Sequence, residues 1–298
     1  MKTQDMLRQF INIVALSVVV AFNAISQALP LNGQTSADIA NRYPDMLYFP
    51  ANFAFSIWGV IYTFLAAFVI YQALPAQREN PLIRRIGYLF ALSSVFNIAW
   101  LTAFHYDQYV LSMGAMILLL LTLLTLYVRV GIGVTAVKPI EKWTVHIPFS
   151  LYLGWITAAT ITNAGYVLTD LGWDGFGISN EVWAVIMLAV TGVLASAMVI
   201  GRRDLAYGLV IVWAVAAIAV RHSEVQMVFV TAVAVAAIVA AIILIRAFTM
   251  LRQGPSSNRC CWRTPLAHQR LQLRRRQPDQ PSRPQWDASC SKLSGDLS

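Results

Sequence analysis

Charge is what this chain has least of where it would matter most. No Asp, Glu, Lys or Arg lies within eight long apolar stretches, roughly residues 10–29, 51–74, 86–104, 108–128, 144–169, 182–201, 205–220 and 225–245. Charged residues make up only 12% of the 298, against 58% apolar. In water such a chain would leave far too much apolar surface bare, which excludes a soluble globule. A spanning helix needs about 20 mostly apolar residues. Seven stretches meet that comfortably, and 205–220 is a little short. The short alternating segments of a membrane β-barrel are missing too. Continuous runs in hydrocarbon must satisfy their own backbone hydrogen bonds, which makes them helices. The expected fold is all-α, a polytopic transmembrane bundle of about eight helices.

Other absences narrow the chemistry. No carboxylate or ammonium lies inside a span, whereas proton-coupled transporters commonly carry one. No intramembrane Lys is present to form a retinal Schiff base, and no P-loop, HExxH or cysteine-based metal pattern occurs. The three cysteines, Cys260, Cys261 and Cys290, all follow the last span. Their cytoplasmic position argues against structural disulfides. Cys260 and Cys261 beside His268 lack zinc-ligand spacing, and adjacent cysteines near a membrane are a weak palmitoylation signal. His105 and His146 could each ligate haem iron, but a lone interfacial histidine is more often solvated or hydrogen-bonded. No metal site and no catalytic residue is expected.

The positive charge that is present is segregated. With a cytoplasmic N-terminus, the inner segments hold Lys2 and Arg8; Arg78, Arg84 and Arg85; Arg129, Lys138 and Lys142; Arg202 and Arg203; and Arg246 onward. The outer loops hold only Arg42 and Arg221. This is a positive-inside pattern. Eight spans put both termini in the cytoplasm, whereas dropping 205–220 would put the basic tail outside. Residues 1–250 carry 13 Lys+Arg against 11 Asp+Glu, and residues 251–298 carry nine against three, so the net charge of +8 belongs mostly to the tail. That tail reads as a solvated disordered segment, with attraction to anionic lipid as its functional alternative. Its composition departs so far from the rest that a shifted reading frame is a further reading. The first stretch reads as a retained helix rather than a cleaved signal, because its apolar run is long and carries Asn12, Asn23, Ser26 and Gln27.

The candidate site lies toward the outer side. The longest outer loop in the membrane region is 30–50, and a loop of that length is usually functional or disordered. Ser36 could N-cap a short helix over 37–42. The next outer loop, 105–107, makes segments three and four a tight hairpin. No pair of matched interrupted helices marks an inverted-repeat transporter. In the second segment Trp58 and Tyr62 share a helix face. In the third, Asn97, Trp100 and Phe104 form a stripe, and the fifth carries Trp155, Thr162 and Asn163. For any one of these, an interfacial anchor or an interhelical hydrogen bond is the ordinary role. Together they set rings and amides at similar depth on three helices beneath the long loop. An apolar, aromatic-lined cleft with few polar groups is the usual form of a small-molecule site, and flat rings stack well on such walls.

These segments resemble the TspO/translocator-protein family, the tryptophan-rich sensory proteins. The family's second helix reads approximately Pro-x-Trp-x-x-x-x-x-Trp-x-x-x-Tyr. It is matched at Pro50, Trp58 and Tyr62, with Asn52 where the first Trp stands. The third-helix pattern Asn-x-x-Trp-x-x-x-Phe is matched at Asn97, Trp100 and Phe104. The fifth-helix pair, Trp and then Asn eight residues on, is matched at Trp155 and Asn163. Leu151 stands where the family has Pro, and Val167 where it has a further Trp.

The resemblance covers about residues 9–170 and implies a five-helix bundle that binds tetrapyrroles, sterols or synthetic aromatic ligands under the first loop. The implied organisation is a five-helix membrane domain over 1–170, three additional helices over 171–250 and the basic tail over 251–298. Packing or dimerisation is the role expected for helices six to eight, with no site in them.

The function expected is that of a membrane receptor or sensor for a hydrophobic, ring-containing molecule, a porphyrin or sterol-like compound, held among helices one, two, three and five. Trp58, Trp100 and Trp155 would stack on the ligand, with Phe104 beside them. Asn97 and Asn163 would orient its polar groups or tie helices together, and Tyr62 would do both. Asn23 and Gln27 could face the same cleft. Porphyrin or haem enters as a ligand rather than a resident cofactor. A transporter for an apolar solute is the second reading. An enzyme degrading a bound porphyrin ranks last, because no general acid–base pair lies in the bilayer. The expected partners are the lipid bilayer, the small molecule and a second copy of the chain, with no nucleic acid. The charge bias suits a bacterial inner membrane.

Overall fold

The computed structural model describes residues 2–34, 38, 39 and 41–252, and among these it is entirely helical with no strand. Eight long helices follow the eight apolar stretches. They are α1 (Lys2–Ala28), α2 (Ile57–Ala73), α3 (Leu89–His105), α4 (Tyr109–Val130), α5 (Ile147–Asp170), α6 (Asn180–Arg202), α7 (Leu205–Arg221) and α8 (Gln226–Arg252). Five helical stretches are long and apolar enough to cross a membrane: Thr3–Gly33, Asn52–Ala73, Tyr109–Val130, Asn180–Arg202 and Gln226–Arg252. Helices α3 and α7 are apolar but shorter. The tail from residue 253 lies outside the described residues, as do Ser36 and most of the short helix expected over 37–42.

The brevity of α7 has a packing reason. It lies against α5 and α6, and Tyr207, Val210, Ile211, Ala214, Val215, Ala217 and Ile218 are all buried. A helix enclosed by protein along most of its length need not match the hydrocarbon thickness on its own. Around it, α3 pairs with α4, α4 with α5, and α1 with α2 and α3. The outward faces are apolar, as at Val95, Leu111, Leu121, Val193 and Leu244, which is the surface a lipid-facing helix should show. Inside, Phe68, Phe90 and Phe149 meet edge to face, with centroids 4.9 and 5.3 Å from Phe68.

Local chemistry shapes the helix ends. A turn of π-helix over Lys142–His146 feeds α5. Pro148 follows it, and a proline has no N–H to return to the carbonyl four residues back, so a locally widened turn absorbs the mismatch. Gly133 has φ +80°, and a Cβ there would lie 2.0 Å from the Arg202 carbonyl oxygen, so the loop after α4 rests directly on the end of α6.

At the end of the bundle that carries the N-terminus, Asp5 pairs with Arg8 at 3.0 Å and Arg84 at 2.6 Å, tying α1 to the α2–α3 link. At the same end Asp204, only 6% exposed, caps α7 by accepting from the Tyr207 N–H at 3.1 Å. Its other oxygen accepts from the hydroxyls of Tyr127 on α4 at 2.8 Å and Ser150 on α5 at 2.7 Å. One carboxylate thus joins three helices. Asp204→Ala should lower unfolding stability by about 2–4 kcal/mol, since it removes a cap and leaves two buried hydroxyls without an acceptor. Asp204→Asn should cost roughly half of that, because one oxygen remains to accept. Thermal unfolding in detergent reads the difference, and equal stability of Asp204→Ala and the parent would refute this role.

Candidate functional site

Beneath the long loop lies a cavity of about 460 Å³, within the range of small-molecule sites. Its walls come from five helices and the loop. Helix α1 supplies Val20, Asn23 and Ala24; α2 supplies Trp58 and Tyr62; α3 supplies Trp100, Leu101 and Phe104. Helix α5 gives Trp155, Ala158, Ala159, Thr162, Asn163 and Tyr166, and α7 gives Ala214 and Ile218. The loop and the 3₁₀ turn Asn52–Ser56 bring Tyr48, Phe49, Pro50, Asn52 and Phe55. None of these lining residues bears a formal charge.

The rings are fixed against one another. Trp58 stacks on Tyr62, with centroids 5.3 Å apart and planes at 20°. The same indole meets Trp155 edge-on at 6.4 Å, and Phe55 meets Trp155 at 5.9 Å. Trp100 stacks on Phe104 at 5.9 Å. Such pairs add specific geometry to the area they bury. Trp155, Phe104 and Asn163 are almost fully buried, whereas Trp58, Tyr62, Trp100 and Asn23 are partly exposed.

The amides of Asn163 and Asn23 are already occupied. Asn163 Oδ1 accepts from Trp100 Nε1 at 3.3 Å and from Ser112 Oγ at 3.2 Å, which joins α3, α4 and α5. Asn23 Nδ2 donates to the Val19 carbonyl at 2.9 Å and to Asn97 Oδ1 at 3.0 Å, joining α1 to α3. Asn97 is fully buried and stands behind the wall rather than in it. Of the two roles expected for these asparagines, tying helices is the one their bonds perform. The Tyr62 hydroxyl is different. Like Asn97 Nδ2, it is buried with no hydrogen-bond partner among the described residues, but it belongs to a residue that lines the cavity. His105 is buried with Nδ1 2.9 Å from the Leu101 carbonyl, and no cluster of metal-ligating side chains occurs among the described residues. The side chain of Gln27 lies outside what is described.

The loop is a pinned roof. Gln34 Nε2 donates to the His105 carbonyl at 2.6 Å and to Asp107 at 3.0 Å. Arg42 reaches Asp107 at 2.5 Å and the Tyr109 hydroxyl at 2.7 Å. Tyr43 donates to Asp170 at 2.9 Å, and Tyr166 to the Ile39 carbonyl at 3.1 Å. Below these bonds Ile39, Phe49, Phe104, Tyr109 and Tyr166 form their own buried cluster. Gly165 lets the loop come this close, since a Cβ there would lie 2.9 Å from Met46 Sδ.

Seven of the eight residues expected at the site line the cavity, and Asn97 backs it. The expectation for helices six to eight needs correction, because α7 forms part of the wall. The sequence offered no sign of Ala214 or Ile218, which look like any other apolar positions in a span. Tyr48 and Phe49 are aromatics that belong to no helical stripe, whereas Tyr166 continues the α5 stripe of Trp155, Thr162 and Asn163.

At the far edge of the roof, His222 Nε2 lies 3.2 Å from the Phe49 carbonyl. A carbonyl only accepts, so the ring nitrogen carries the proton and donates. Burial holds the His222 imidazole below its usual range, and the neighbouring Arg221 charge adds to this against the raising effect of the Phe49 bond. The unfolded chain, with an imidazole near about 6.5, therefore takes up the proton first. This contribution is full above that pH and is lost as pH falls through the folded value. Acidification from pH 7.5 to 5.5 should lower the melting temperature, and His222→Gln, which keeps an N–H donor, should flatten that slope. An unchanged slope in the Gln variant would clear His222 of the effect.

A protein-family model described as TSPO-like protein matches residues 9–245. No curated protein and no solved structure matches the chain. The family match covers the 9–170 span of the resemblance and runs on through α6 and α7 into α8.

Proposed function

We propose, from the premise that the chain belongs to the TSPO-like protein family, that this integral multi-pass membrane protein is a receptor or sensor for an uncharged, ring-containing hydrophobic molecule. The observation that carries the reading is the cavity itself: about 460 Å³, walled by Trp58, Trp100, Trp155, Phe55, Phe104 and Tyr62, with no charged side chain in its lining. The charge bias of the loops supports a bacterial inner membrane, with the roof on the outer side.

Rings on the wall offer stacking surface to a flat ligand. Trp58 and Trp155, nearly perpendicular, form a corner rather than a slot, which selects a rigid body with both a face and an edge. The Asn23 and Asn163 amides are committed to helix contacts, which leaves the Asn52 amide and the Tyr62 hydroxyl as the polar handles. A hydroxyl meets a carbonyl, ether or alcohol oxygen on the ligand. A carboxylate finds no cation in the lining, and stripping an ion of water without a counter-charge costs several kcal/mol. A porphyrin would fit best with its acid groups masked or left at the mouth.

Tryptophan-fluorescence quenching in detergent tests this. Protoporphyrin dimethyl ester should quench saturably and bind about tenfold or more tightly than the free acid, by about 1.4 kcal/mol. The Trp58→Leu/Trp100→Leu double substitution should abolish saturable quenching and leave the helix content intact. Tyr62→Phe should weaken binding of an oxygen-bearing ligand by about 1 kcal/mol while leaving the empty protein no less stable, because it removes an unsatisfied buried hydroxyl. Quenching that survives the double substitution would place the ligand elsewhere. Ligand uptake into sealed proteoliposomes would favour a transporter over a receptor.

A further inference from the structure

The geometry points to α7 as the element that holds the roof over the ligand cavity, with Arg221 as its positioning residue. This rests on the ligand reading of the cavity. Two adjacent rows run along one face of α7 at helical spacing. One row, Trp213, Ala217 and Arg221, binds the chain of residues 41–55. Trp213 Nε1 donates to the Ala54 carbonyl at 3.1 Å, and the Ala217 carbonyl accepts from the Ala51 N–H at 3.1 Å. Arg221 donates to Asn41 Oδ1 at 3.0 Å, and its guanidinium carbon lies 4.9 Å from the centre of the Phe49 ring.

The other row, Ala214, Ile218 and His222, faces the cavity and its roof. Its first two members line the cavity and the third holds the Phe49 carbonyl. Phe49 is therefore gripped at both its ring and its backbone. It is only 3% exposed and lines the cavity. The opposite margin of the roof is bound to the α3–α4 turn through Gln34, Arg42 and Asp107.

Trp213 sits where the wall departs from the family pattern. Asn52 stands in place of the expected Trp, and Phe53 beside it meets the Trp213 ring edge-on at 5.4 Å. Helix α7 thus braces from behind the turn that carries Asn52. Arg221 is suited to its task because a planar guanidinium can donate to an amide oxygen and lie over a ring at once. A lysine ammonium is a point charge and does this less well.

The test pairs a structural readout with a ligand readout. Hydrogen–deuterium exchange would follow residues 41–55 in the full chain, and stopped-flow fluorescence would follow release of protoporphyrin dimethyl ester. Arg221→Ala should raise exchange across 41–55 and speed ligand release roughly tenfold, with exchange in α3 and α4 unchanged. Arg221→Lys should give an intermediate result. In a cycle with Phe49→Leu, the two substitutions together should speed release by less than the product of their separate effects.

Unchanged exchange in Arg221→Ala would overturn the proposal. Faster exchange with unchanged release would overturn it too, because the segment would then not roof the ligand. If the parent protein binds no ligand while exchange still rises, Arg221 stands as the anchor of the segment and the ligand reading falls instead.

Discussion

Hydrocarbon offers no hydrogen bonds, and the rest of this structure depends on that constraint. Most polar groups that enter the bundle bring a partner or find one on a neighbouring helix. Thr63, Thr122, Thr125 and Thr157 return their hydroxyls to the carbonyl one turn back. Gln9 and Gln72 exchange side-chain amides with each other's backbone across α1 and α2. Asn163 spends its carboxamide on Trp100 and Ser112. What remains inside the cavity is a wall dominated by rings, with the Asn52 amide and the Tyr62 hydroxyl as its uncommitted polar groups.

The same constraint explains the two kinds of surface on the long helices. Side chains facing outward are mostly aliphatic or aromatic, and the threonines among them return their hydroxyls to their own helix. The roof is the opposite case. Its backbone is irregular, which is tolerable only at the water-facing end. There Gln34, Arg42, Asp107 and Tyr43 make bonds unlike any in the middle of the bundle. Electrostatics and ring packing therefore divide the protein by depth. Charged pairs hold its two ends, and rings with back-bonded hydroxyls fill what lies between.

Much of this was legible in the chain. Charge-free runs located the eight helices, including the short α7. Helical spacing on α2, α3 and α5 picked out Trp58, Tyr62, Trp100, Phe104, Trp155 and Asn163, because a fixed 3.6-residue period converts sequence distance into a shared face. Asn97 was read at the wall and lies one layer behind it, since periodicity gives direction but not radial depth. The roof was harder. Tyr48 and Phe49 sit in a segment with no period, where only tertiary bonds decide which way a ring turns. Ala214 and Ile218 were invisible for a different reason. In a span made of Ala, Val and Ile, nothing distinguishes a face that meets a cavity from one that meets lipid.

The position of α7 in the chain sets the order in which the site comes into being. Synthesis proceeds from the N-terminus, and membrane segments emerge in sequence. The aromatic wall is complete once α5 has been inserted, but the last wall and the grip on Phe49 follow only after residue 222 has left the ribosome. A nascent chain of five or six helices carries an apolar cleft whose cover is tied at the α3–α4 turn and α5 but not yet along its far edge. Until α7 arrives, the side of the cleft that Ala214 and Ile218 fill stays open.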